Sequence, residues 1–89
     1  MEAVITVVGQ DRVGILAQVC TVCAEANVNV EEVSQRILSG TFAMIMLVDP
    51  AAATLDFTAF AETLRQRGET MGVEIRCTRQ EMYDVMHRI

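Results

Sequence analysis

Three polar side chains stand in a row between two glycines, in the run Gly9-Gln10-Asp11-Arg12-Val13-Gly14-Ile15-Leu16. An arginine can grip a carboxylate through two parallel hydrogen bonds, and an aspartate can take an amine. If a helix begins just beyond them, its first N–H groups lack internal partners and favour an anion. Gln10, Asp11, Arg12, Val13, Gly14, Ile15 and Leu16 are therefore the first candidate binding residues. Each has a plainer use. Asp11 would serve as a helix N-cap, worth about 1 kcal/mol. Arg12 would be a solvated residue or a partner in an interface ion pair. Gly14, with no side chain, would let the loop pack close to the second strand.

Other reactive side chains read as structural. Cys20 and Cys23 have the spacing of a metal or redox pair, but they lie inside a helical pattern with no second pair or histidine nearby. Small core hydrophobes are the better reading, and the same holds for Cys77. Three cysteines are an odd number, which suggests free thiols. His87 is the one histidine and has no catalytic partner in a known arrangement; stabilising a helix C-terminus accounts for it. Glu31 and Glu32 are adjacent, point to opposite faces of a strand, and form no acid–base pair. Met44 and Met46 read as interface packing. No catalytic residue, metal ligand or cofactor is expected.

The elements that position this loop follow from periodicity. Residues 3–8 are almost continuously β-branched and read as a central strand ended by Gly9. From Val13 to Ala26 the period becomes helical, with Ile15, Leu16, Val19, Val22, Cys23 and Ala26 on one face. Val28 to Leu38 reads as a strand whose phase slips between Val30 and Val33, the mark of a bulge. Ser39-Gly40 signals a hairpin, and Thr41 to Val48 a second central strand. Asp56 would cap a second helix whose apolar face includes Phe57, Phe60, Leu64, Gly68 and Met71, with Gly72 closing it. Val73, Ile75 and Cys77 alternate with polar residues in an edge strand. Met82, Val85, Met86 and Ile89 then mark a short amphipathic helix.

Strand, helix, strand, strand, helix, strand is the split unit of an α+β, ferredoxin-like sandwich. Its antiparallel sheet would run 4-1-3-2 with both helices on one face. Both central strands carry apolar residues on each face: Val4, Val8, Phe42, Met44 and Met46 compete with Ile5, Val7, Ile45 and Leu47. A bare apolar sheet face should be an interface. We expect residues 1–78 to form one domain. Residues 79–89 would form a helix on the sheet or on a partner, within a homodimer that buries this face.

Composition narrows the classes. A chain that is 52% hydrophobic is not disordered. A net charge of −5 without any lysine argues against nucleic acid and anionic membrane as partners. With no signal peptide or spanning segment visible, a cytoplasmic location is expected.

The segment Gly9-Gln10-Asp11-Arg12-Val13-Gly14-Ile15-Leu16-Ala17, followed by Ala26-Asn27-Val28-Asn29-Val30, resembles the ACT domain over residues 2–78. The ending Met86-His87-Arg88-Ile89 resembles short stand-alone ACT proteins of uncharacterised function. The resemblance implies a ferredoxin-like regulatory module that pairs with a second domain, binds an amino acid between the two and acts on an enzyme or regulator. It also implies that Gln10 to Leu16 form the ligand loop and that Asn29 joins it across the dimer, although Asn29 can equally fix the strand entry. Three departures stand out: Gly9 replaces a histidine, Asp11 an asparagine and Val13 a proline. The expected function is a non-enzymatic sensor binding a small amino-acid-like ligand. The alternatives are a ligand-free interaction module and an acylphosphatase-like hydrolase, whose phosphate loop this spacing does not match.

Overall fold

The structure, a computed structural model, describes residues 2–86, with the side chains of Val85 and Met86 excepted. His87, Arg88 and Ile89 lie outside the described residues, and with them the ending motif, the expected role of His87 and the last turn of the expected tail helix. Seven elements follow in order: β1 (Ala3–Gln10), α1 (Ile15–Glu25), β2 (Asn29–Leu38), β3 (Thr41–Asp49), α2 (Phe57–Met71), β4 (Val73–Arg79) and α3 (Gln80–Met86). The strands form one antiparallel sheet of order β2-β3-β1-β4. This is the expected ferredoxin-like βαββαβ arrangement with a short C-terminal helix.

Local chemistry explains the joints. Ser39 and Gly40 both take positive φ, 52° and 80°, which a two-residue hairpin turn between twisted strands requires. The bulge falls where the phase slips, between Val30 and Glu32, so Glu31 is the extra residue. Asp56 caps α2, its carboxylate accepting the Ala59 N–H at 2.7 Å. Gly72 ends that helix at φ 75°.

The core lies between the sheet and α1 with α2. Ile5 and Val7 of β1 pair with Met46 and Met44 of β3, and all four are buried with Val19, Val22, Phe60, Leu64 and Ile75. This corrects two expectations. Antiparallel register places even-numbered β3 residues beside odd-numbered β1 residues, so Phe42, Met44 and Met46 share a face with Ile5 and Val7, not with Val4 and Val8. Met44 and Met46 are accordingly core, not interface. The outward face keeps Val8 and Ile45, 51% and 46% exposed. Val4, also outward, is only 4% exposed; α3 contacts β1 and β4 at that end. β1 also runs on through Gly9 to Gln10, so Gly9 lies within the strand.

Candidate functional site

The β1–α1 loop is pinned at three points. A Cβ on Gly9 would lie 2.7 Å from Cγ1 and 2.9 Å from Cα of Val73. The glycine is what allows β4 to sit this close to β1, and a larger residue needs the backbone to move. Next, the Asp11 N–H donates to the Gly40 carbonyl at 2.8 Å, fastening the loop to the β2–β3 hairpin. Finally, Arg12 Nη1 donates to the Met71 carbonyl at 2.6 Å. That carbonyl is one of the unpaired groups at the end of α2, where a cation also meets the negative end of the helix dipole.

These contacts revise the expected roles. Arg12 is exposed, as expected, but not loose: it closes a helix, and among the described residues it joins no ion pair. Asp11 is not the N-cap of α1. Gly14 is, three residues later than expected, with φ 91° and no side-chain cap. A Cβ on Gly14 would meet nothing within 4 Å, so conformation and not close packing calls for glycine. Helix α1 therefore starts at Ile15 without a capping side chain. Its first-turn N–H groups remain for solvent or a ligand. Around them Val13 and Leu16 are exposed, while Ile15 is buried in the core; Leu16 thus leaves the apolar face that periodicity assigned it. Gln10 is exposed at the end of β1, opposite Thr41.

Asn29 is elsewhere. It opens β2 opposite Asp49, whereas Gln10 and the hairpin pair at Thr41. Nine residues of β3 separate these ends, roughly 26 Å at about 3.3 Å per step. Within one chain the two halves of the expected site do not meet.

The Asn29 end is acidic, a feature that sequence spacing alone did not reveal. Glu31 shares a hydrogen bond with Glu2, which, with desolvation and then the nearby charges of Glu2, Asp49 and Glu32, raises its pKa above the ordinary carboxylate value. Glu2 arrives from the start of β1, and only the sheet register brings it to the bulge. Among the described residues no group of three or more acidic, histidine or cysteine side chains has the arrangement of a metal site.

The cysteines are free thiols. Burial first, and then the neighbouring Cys20, push the Cys23 thiol up to about 11; burial and then Cys23 push Cys77 up to about 12. Protonated thiols are poor nucleophiles, in keeping with packed core residues. No described helix is long and apolar enough to cross a membrane.

A family model for the ACT domain matches residues 2–78. A UPF0237 protein of Bifidobacterium longum is 52% identical over 88 residues, covering 99% of this chain and 98% of its own. Among solved structures, an ACT domain protein from Streptococcus pneumoniae superposes with a TM-score of 0.81 at 33% identity, covering 94% of each chain. A formyltetrahydrofolate deformylase from Pseudomonas syringae also reaches 0.81. It covers 99% of this chain but only 36% of the deformylase, at 24% identity, a likeness of fold alone.

Proposed function

This chain belongs to the ACT-domain family, and from that premise we propose that it is a non-enzymatic sensor, a homodimer joined along β2 that binds a small amino-acid-like ligand at each β1–α1 loop. The observation that carries the reading is the separation of the loop from Asn29 along an open sheet edge. β2 is an edge strand whose Val33 and Ile37 are 44% and 55% exposed. Pairing β2 antiparallel with a second copy about a two-fold axis at Ser34 reverses its direction. The second copy's Asn29 then lies beside the Ser39–Gly40 turn that holds Asp11. The same register sets Glu32 opposite Arg36 on both sides of the axis, a favourable cross-strand pair. The outward sheet face is a weaker dimer surface, because the large methionines are in the core.

In this site the uncapped N-terminus of α1 takes the ligand carboxylate. Asp11 takes the amine, Asn29 of the second copy adds a polar contact, and Val13 and Leu16 shield the ligand. Arg12 stays on α2. Occupancy favours the paired state, and that shift is what an enzyme or regulator would read.

Two measurements test the reading. Light scattering should give a dimer, which Ser34→Lys weakens by placing like charges opposite each other on the axis. A thermal-shift screen of the amino acids should find one that stabilises the dimer, by about 2.7 kcal/mol at a hundred times its dissociation constant. Asp11→Ala and Asn29→Ala should each abolish that shift. No shift with any amino acid would overturn the ligand and favour a purely structural interaction module; a monomer would overturn the composite site.

A further inference from the structure

The sheet's other edge has a different character. β4 pairs with β1 without a register break, carries no proline, and has no strand on its far side. Beside it α2 and β4 enclose an open groove of about 900 Å³. Phe57, Ala61 and Cys77 form its half-buried apolar floor. Its rim is charged: Arg65 of α2 pairs with Glu62 and Glu69, and on β4 the exposed Glu74 and Arg76, which alternate with the floor residues, pair with each other at 2.6 Å. At the lower end Arg79 lies 4.8 Å from the centre of the Phe57 ring, and among the described residues it has no carboxylate partner.

We propose that this edge and groove receive an extended segment of another protein, added antiparallel to β4 as a fifth strand. Open edges with free backbone N–H and C=O groups are templates for such addition, and the charges along β4 restrict which strand can be added. The period of two defines the guest. Side chains opposite Val73, Ile75 and Cys77 face the groove and must be apolar. Those opposite Glu74 and Arg76 face outward and must be basic and acidic, respectively. The residue opposite Arg79 must be acidic. A second copy is the wrong guest. With β2 already joining two copies, as proposed above, a self-paired β4 would extend the sheet from dimer to dimer without closing. The groove also touches the ligand loop. Arg12 holds the Met71 carbonyl, and the next residue, Gly72, lines the groove's upper mouth. Guest and ligand thus bear on the same helix end.

The test uses the full chain and a labelled peptide, Glu-Thr-Val-Glu-Val-Arg-Val, with a control in which the second Glu and the Arg are exchanged. Fluorescence anisotropy should show the first peptide binding about tenfold more tightly, the effect expected of two reversed cross-strand charge pairs. The double variant Glu74→Arg, Arg76→Glu alters only exposed side chains and should reverse the preference while keeping the melting temperature. Equal binding of the two peptides, no binding of either, or a preference that survives the exchange would overturn the proposal. So would a change in the chain's own association state on making the double variant, because that would identify a second copy as the guest. An amino-acid thermal shift that persists when both peptides fail to bind would leave the ligand reading intact and overturn only the docking of a guest strand.

Discussion

The two ends of the sheet use their polar residues in opposite ways. At the β1–α1 end the polar and glycine positions are spent on the fold: Gly9 admits β4, the Asp11 N–H holds the hairpin, and Arg12 closes α2. At the far end Asn29 stands exposed, and Glu31 is crowded against Glu2 with Asp49 and Glu32 near it. One end is stabilised by what surrounds it; at the other, carboxyl groups crowd one another. On the proposed reading, a loop already held in place needs little ordering to take its ligand, which lowers the entropic cost of capture. The acidic end lies at the far end of the same sheet, and on the proposed reading it meets the loop through a second copy.

The sharpest way to break this contrast is Gly9→His, which installs the residue that the resemblance to amino-acid-binding ACT domains implies at this position. Its Cβ would collide with the Val73 backbone, so we expect a loss of about 3 kcal/mol in urea unfolding, and no gain of ligand binding. A variant as stable as the parent would show that the loop end is looser than the contact distances imply. Gly14→Ala should cost less, about 1 kcal/mol, since the new methyl meets only space and the penalty is the left-handed φ alone. The difference between the two glycines separates close approach from backbone conformation, and thermal melts of both variants measure it.

Much of the fold was legible because its signals are local. The Ser39-Gly40 turn, the Asp56 cap, the Gly72 stop and the bulge after Val30 each announce themselves within a few residues. The candidate loop was legible in position but not in role. Arg12 looked available because its partner, the Met71 carbonyl, is 59 residues away. The role of Gly9 was hidden because nothing beside it in the chain shows Val73 pressing on it. The outward-face assignment failed for a related reason: which β3 residues join which β1 residues depends on register, and antiparallel pairing matched odd with even.

Arg12→Ala tests the same end more gently. It removes one exposed hydrogen bond to a helix terminus, and we expect a loss of about 0.5–1 kcal/mol. If the variant also loses an amino-acid thermal shift that Asp11→Ala abolishes, Arg12 serves the ligand as well as α2. If it keeps the shift, its role is the helix end alone.

The smallest effect should have the opposite sign, and it belongs to the other end. Glu31 holds its proton more tightly in the folded chain than an ordinary carboxyl does, chiefly through its hydrogen bond with Glu2. Folding therefore gains from this pair at low pH, and the gain is lost as pH rises through the raised folded value. Glu31→Gln keeps the hydrogen bond, with the amide donating to the Glu2 carboxylate, and removes one charge from the cluster. Its melting temperature should match the parent's in acid and exceed it slightly above the ordinary carboxylate range. The step between the two regimes should sit at the raised folded pKa of Glu31. A lower melting temperature at neutral pH would mean that Glu31 supports the fold as Arg12 does, and the two ends would then differ in chemistry but not in purpose.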